Sequence, residues 1–199
     1  MPNWYSGTVI IRGDIAPFRD WYNKYKDSEN ALDNSFAQTL APLSSGKWDF
    51  TTACDEWGVK WDLSNVNMLS GDDDGDTEFS LSFDTPWNSP VYLWRQLEMR
   101  YGVEVEETGY EEQQLEFYKY HNGRFICKDV DNDWFAENLD FTPSAEALKD
   151  DQLLEDEKND FRYEYWCDGM EKWEKTVSPD DPYWKDIEMT LVEEEQILH

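Results

Sequence analysis

Residues 79–107 read FSLSFDTPWNSPVYLWRQLEMRYGVEVEE, and this stretch decides the fold. Phe79, Leu81 and Phe83 alternate with Ser80 and Ser82, the two-residue period of a half-buried strand. Ser89-Pro90 marks a helix start, because proline at the first helical position loses only an N–H that has no partner there. Trp94, Leu97 and Tyr101 follow at helical spacing as a buried face, and Gly102 stops the helix. Val103 and Val105 then alternate with Glu104 and Glu106, a second strand.

Outward from this unit the pattern repeats on the N-terminal side. Thr8-Val9-Ile10-Ile11-Arg12 is β-branched and ends at Gly13, which predicts a strand. Asp14 suits a helix cap, and Phe18, Trp21, Tyr22 and Tyr25 fall on one helical face. Residues 28–47 are mixed and read as loop, and Trp57-Gly58-Val59-Lys60-Trp61 as a short strand. On the C-terminal side, Leu115 and Phe117 alternate with Glu116 and Tyr118 as a strand. His121-Asn122-Gly123 is a hairpin turn leading into Phe125-Ile126-Cys127. The order is strand, helix, strand, strand, helix, strand, with one strand more. The expectation is an α+β, ferredoxin-like split βαβ domain over residues 1–140, an antiparallel sheet with helices on one face.

Past Phe141 the character changes. Thr142-Pro143-Ser144 reads as a boundary and a helix cap, and Ala145, Leu148, Leu153 and Leu154 as an acidic helix. Phe161, Tyr163 and Tyr165 alternate and favour a strand, with a helix through Trp166 as the alternative. Pro179 and Pro182 break the chain before a final helix face of Trp184, Ile187 and Leu191. Residues 141–199 are an acidic extension, too aromatic for a free tail, expected to dock on the domain or on a partner.

Charge sets the function classes. The chain has 45 Asp and Glu against 17 Lys and Arg, a formal net charge of −28, together with 11 Trp. Residues 1–140 hold 27 acids and 11 bases, net −16; residues 141–199 hold 18 and 6, net −12. Such a field repels nucleic acid and anionic lipid and attracts basic surfaces. No Lys/Arg cluster offers a phosphate-tracking groove. No run is long and apolar enough for a membrane helix, no leader precedes an apolar segment, and the odd number of cysteines (Cys54, Cys127, Cys167) reads as reduced thiols. The expectation is a cytoplasmic protein that contacts neither nucleic acid nor membrane directly.

Three blocks in order resemble a known family. Met1-Pro2-Asn3-Trp4 opens the chain, Glu56-Trp57-Gly58-Val59-Lys60-Trp61-Asp62 lies in the middle, and Phe83-Asp84-Thr85-Pro86-Trp87-Asn88-Ser89-Pro90 precedes the second helix. Over roughly residues 1–130 the chain is similar to the YubB-type, Api-like ferredoxin-like domain of phages and conjugative plasmids. It departs at Val59, Pro86 and Ser89. The resemblance implies the fold and a mobile-element origin, and it implies no catalytic residue.

Chemistry-bearing patterns are sparse. The loop Asp72 to Glu78 resembles a calcium loop, but Ser70 and Leu81 stand where two ligands are needed, and Asp129, Asp131 and Asp133 are followed by Trp134 where glycine is needed. Both read as solvated turns, and no metal or cofactor is expected. His121 falls in a turn, and Cys54 has acidic neighbours that disfavour a thiolate. No P-loop, GxSxG, HExxH or dinucleotide fingerprint occurs, so no enzyme is expected.

The leading expectation is an acidic interaction protein that binds and inhibits a basic, nucleic-acid-binding host protein by imitating phosphate charge. Its partner-binding residues are Glu104, Glu106, Glu107, Glu111, Glu112 and Glu116. Here Glu104, Glu106 and Glu116 are expected outward on neighbouring strands, with Glu111 and Glu112 between. The rival is a small enzyme or ligand-binding domain with a cleft of Trp57, Lys60, Trp61, Asp62 and Trp87, against which stands a core role for the rings and a local Lys60–Asp62 pair. A third reading is a virion or scaffold component, with the extension as an oligomer contact.

Overall fold

The computed structural model describes residues 3–26, 35–71, 73 and 75–189. Met1, Pro2, Asp72 and Leu191, used above, lie outside them, as do residues 28–34 of the stretch read as loop and residues 190–199 of the extension.

A seven-stranded antiparallel sheet in the order β2-β3-β1-β4-β5-β6-β7 organises the chain. Its strands are β1 Trp4–Arg12, β2 Ser64–Ser70, β3 Glu78–Pro86, β4 Glu104–Glu111, β5 Glu116–His121, β6 Arg124–Asp129 and β7 Lys185–Asp186. Helices α1 Ala16–Lys26, α2 Phe36–Leu40 and α3 Phe50–Trp57 link β1 to β2, and α4 Val91–Tyr101 links β3 to β4. Helices α5 Asn132–Asn138, α6 Asp151–Glu164 and α7 Trp166–Thr176 follow β6, with a 3-10 turn at Ala147–Lys149. The class is α+β.

Local chemistry accounts for the elements. Asp14 accepts the Ala16 N–H ahead of α1, which buries Phe18 and Trp21. Gly102 ends α4 in the left-handed region at φ 65°, its N–H bonded to the Glu98 carbonyl. Asn122 (φ 45°) and Gly123 (φ 75°) make the two-residue turn between β5 and β6, both in the left-handed region that this hairpin type requires. Asp131 accepts the Trp134 N–H and caps α5, so the Asp129–Asp133 run serves a helix start.

Strand alternation gives the sheet two faces. On the first, Tyr5, Val9, Ile11, Phe79, Leu81, Phe83, Val105 and Tyr120 build the main core with Phe18, Trp21, Phe36, Trp57 and Trp94 from the helices. On the second, Phe117 and Ile126 pack with Phe135, Trp166 and Trp173 of α5 and α7. Helices therefore cover both faces, and the expected one-sided layer is corrected. The reason is the parity of β5 and β6: Phe117 and Ile126 point away from Tyr118 and Cys127 and need a cover of their own. Where β3 and β1 present Ser80, Ser82, Asp84, Ser6 and Thr8, that second face is polar.

Three local readings are also corrected. Residues 57–61 are not a strand: α3 runs to Trp57 and Gly58 caps it at φ 82°. Phe161 and Tyr163 lie inside α6, because Asp150 caps the helix by accepting the Gln152 and Leu153 N–H groups and Phe161 packs in the second core. Residues 185–186 pair with Arg124 and Phe125 as β7 in place of a last helix. Among the described residues no helix is long and apolar enough to cross a membrane.

Candidate functional site

The six glutamates expected to form one ridge are split between environments. Strand β4 pairs without a bulge on both sides, so Glu107 and Glu111 share the inward parity of Val105. Glu107 is 1% exposed and accepts from the Tyr5 hydroxyl and, at 2.9 Å, from the Ser89 hydroxyl. Burial pushes its carboxyl up to about 7. Glu111 is 0% exposed and accepts the Gln114 N–H at the head of the β4–β5 turn; burial raises it as well. Neither can meet a partner, and the expectation for both is corrected. The signal was present in the sequence, since residues 105, 107 and 111 have the same parity.

The others do not converge. Glu106 lies on the second face and is neutralised by Arg12 at 3.1 Å and Lys119 at 3.9 Å. Glu116 lies on the first face, half-buried, and accepts from the Tyr118 hydroxyl. Glu104 and Glu112 remain exposed at opposite ends of β4. The coherent anionic row lies elsewhere, on α6. Asp156, Asp160 and Glu164 are exposed at four-residue steps, about 6 Å apart along the helix axis. Among the described residues none of them has an ion pair, while nearby Lys158 is held by Asp133 and Glu155. Like charges at this spacing each oppose the helix by about 0.2–0.5 kcal/mol. Fold stability therefore does not explain the row.

The expected aromatic cleft does assemble, in altered form. Trp57 is core, 1% exposed, with its indole N–H on the Ala41 carbonyl at 2.8 Å. Trp61 is exposed and lines a cavity of about 720 Å³ with Trp21, Trp48, Trp57 and Asp62. Asp62 is spoken for: it accepts the Ala37, Gln38 and Leu63 N–H groups at 2.7–2.9 Å and so caps α2. Burial raises its proton affinity against those bonds. The Gln38 Oε1, on the same wall, is buried without a donor.

Lys60 does not pair with Asp62. Its ammonium stands over Trp61 at 4.4 Å, Trp87 at 5.3 Å and Phe50 at 5.6 Å, a three-ring cation cage beside the cavity. Trp87 adopts φ 72°, a left-handed conformation unusual for a bulky residue and a mark of local strain. Trp4 and Trp48 complete an exposed aromatic patch, Trp4 at 6.5 Å from Trp61 and Trp48 bonded to the Lys60 carbonyl at 3.0 Å. Trp4, Trp48 and Phe50 were missed in the sequence, where an exposed ring looks like a buried one.

Two of the thiols, Cys54 and Cys127, are unsuited to nucleophilic work. Burial, then Asp55, raises Cys54, and burial with the Glu116 charge pushes Cys127 up to about 12. His121 is exposed on the hairpin turn, 3.3 Å from the Asn122 amide. Comparison with family models, with curated proteins and with solved structures finds no match.

Proposed function

We propose that the chain is a non-catalytic, acidic binding protein that occupies and inhibits the basic, nucleic-acid-binding face of a partner protein. The observation that carries this reading is the row Asp156, Asp160 and Glu164, without an ion pair among the described residues, on α6, which seats Phe161 against the second core. Regularly spaced carboxylates along one helix face resemble a phosphate backbone in sign of charge and linear order. The overall charge of −28 steers a basic partner toward it and repels nucleic acid itself. The strand order β2-β3-β1-β4, with helical connections after β1 and β3, supports a ferredoxin-like core that β5–β7 extend. The mobile-element origin and a host protein as the target rest on the sequence resemblance alone.

The test is affinity capture from host lysate at low and high salt, with quantified binding to the captured protein. The triple change Asp156→Lys, Asp160→Lys and Glu164→Lys is expected to weaken binding by about a hundredfold or more, because it sets like charges against each other. The same change should leave the melting temperature unchanged or higher, since it removes like-charge repulsion along α6. Binding that ignores both salt and the triple change would remove the reading.

A second reading rests on the 720 Å³ cavity, whose size and apolar walls suit a small ligand. Titration with small aromatic ligands, followed by tryptophan quenching, should then find binders that Trp61→Ala abolishes and the α6 changes spare. If Trp61→Ala leaves every binder intact, the cavity is only a packing gap.

A further inference from the structure

Glu111, Glu116 and Asp129 stand in one row across β4, β5 and β6, each directly opposite the next. Tyr118 and Cys127 are opposite one another two residues along, on the same face. Like charges directly opposite on neighbouring strands destabilise a sheet. Among the described residues none of the three carboxylates has an ion-pair partner. The Glu116 carboxylate, the Cys127 sulfur and the Asp129 carboxylate lie within 4.8 Å of one another. Tyr118 fixes Glu116 by donating its hydroxyl to Oε2. On the adjoining strand Glu111 is 0% exposed, and its Oε1 is buried with no donor on the face it shares with Glu116. A buried carboxylate oxygen with no donor, on a strand directly beside a second carboxylate, is satisfied by a proton, a water or a cation.

We infer that Glu116, Cys127 and Asp129 form a site for a thiophilic divalent cation of the zinc or cobalt class, beside the buried Glu111 that pairs with Glu116 on the neighbouring strand. One sulfur among carboxylate oxygens selects this class, because magnesium and calcium take oxygen ligands alone. Bonds of about 2.0–2.3 Å in a tetrahedron put donors about 3.5 Å apart, so side-chain rotations of about an ångström close the present spacing. The fourth position is left to water. On binding, the metal–sulfur bond replaces the Cys127 S–H bond and the proton leaves to solvent, with no change of oxidation state. Access is provided at the sheet edge: β7 pairs only with Arg124 and Phe125, and Asp129 is exposed while Glu116 and Cys127 are half-buried. In sequence a hairpin separates Glu116 from Cys127 and Asp129, which hides the set from any search for ligand spacing.

The full chain, reduced and stripped of metal, is titrated with Co²⁺. A near-ultraviolet thiolate-to-cobalt band is expected, saturating at a single equivalent and lost on adding Zn²⁺. Cys127→Ser should remove the band, while Cys54→Ser and Cys167→Ser keep it. Asp129→Asn, an exposed change that leaves the metal-free fold intact, should weaken Co²⁺ at least about tenfold. Absence of the band, its survival in Cys127→Ser, or displacement of Co²⁺ by excess Mg²⁺ would overturn the site. Should Cys127→Ser fail to fold, Asp129→Asn decides alone, and an unchanged Co²⁺ affinity counts against it.

Discussion

Replacing Glu107 by Gln is expected to stabilise the protein by about 3 kcal/mol at pH 8 and by no more than about 1 kcal/mol at pH 5. The sign follows from the direction of the shift. The carboxyl titrates near its ordinary value of 4.5 when unfolded and at about 7 when buried between Tyr5 and Ser89. Below both values it is protonated in either state and has no net effect. Between them the unfolded chain sheds its proton while the fold retains it, so stability falls as pH rises. Above about 7 the penalty is complete. Each pH unit across the window is worth about 1.4 kcal/mol. Gln is neutral at every pH and keeps an oxygen for the Tyr5 hydroxyl and an amide for Ser89. Urea midpoints of both proteins at the two pH values test this, and the other carboxylates, being common to both, cancel in the difference. Equal destabilisation at both pH values would show that Glu107 is held for its shape and not against its charge.

Gly109→Ala should cost about 3–5 kcal/mol, a large part of the roughly 5–15 kcal/mol that holds a domain together. Tyr5 reaches Glu107 by laying its ring across Gly7 and Gly109. A methyl on residue 109 would stand 2.1 Å from the Tyr5 hydroxyl oxygen, 2.4 Å from its Cζ and 2.6 Å from the Ser6 carbonyl oxygen. The first two contacts expel the ring, and the third is backbone and cannot swing aside. The fold then loses the packing of a 0% exposed tyrosine and leaves Glu107 without one of its two hydroxyl donors. At roughly 2–4 °C per kcal/mol for a chain of this size, the melting temperature should fall by about 10 °C or more. Gly75→Ala, where nothing lies within 4 Å, is the control and should be near neutral. If the two substitutions melted alike, Tyr5 would have another place to go.

The sequence made the β–α–β core legible because its signals are local. Alternation located β3, a left-handed glycine the end of α4, and Asn122-Gly123 the hairpin. It failed where the deciding partner is distant. Tyr163 sits in a run that alternates like a strand, yet an aspartate cap and a second core make that run helical. The glutamates of β4 were misjudged by residue type: Glu is usually exposed, and parity with Val105 overrides that preference once β1 and β5 lock the register. The cleft was half legible. Trp57 and Trp61 are four apart, yet one is core and one is surface, because α3 ends at the first and the chain turns at Gly58. Lys60, Trp61 and Trp87 were grouped from the sequence, but Phe50 and the placing of Lys60 over the rings instead of beside Asp62 were not legible, since Phe50, Lys60 and Trp87 come from three separate segments.

The sheet's two margins bear on how the molecule behaves in a crowd. At one side β2 carries register shifts between Ser64 and Asn67 and between Met68 and Ser70, with Asn65 at φ 50°. At the other, β7 caps only the first two residues of β6 and leaves the exposed charges of Lys128 and Asp129 on the remainder. An irregular border and a charged one are both poor templates for lateral growth by an incoming strand. Seven strands without barrel closure can in this way stay discrete at high concentration, and β6 beyond Phe125 is where an incoming chain would first find purchase if those two charges were removed.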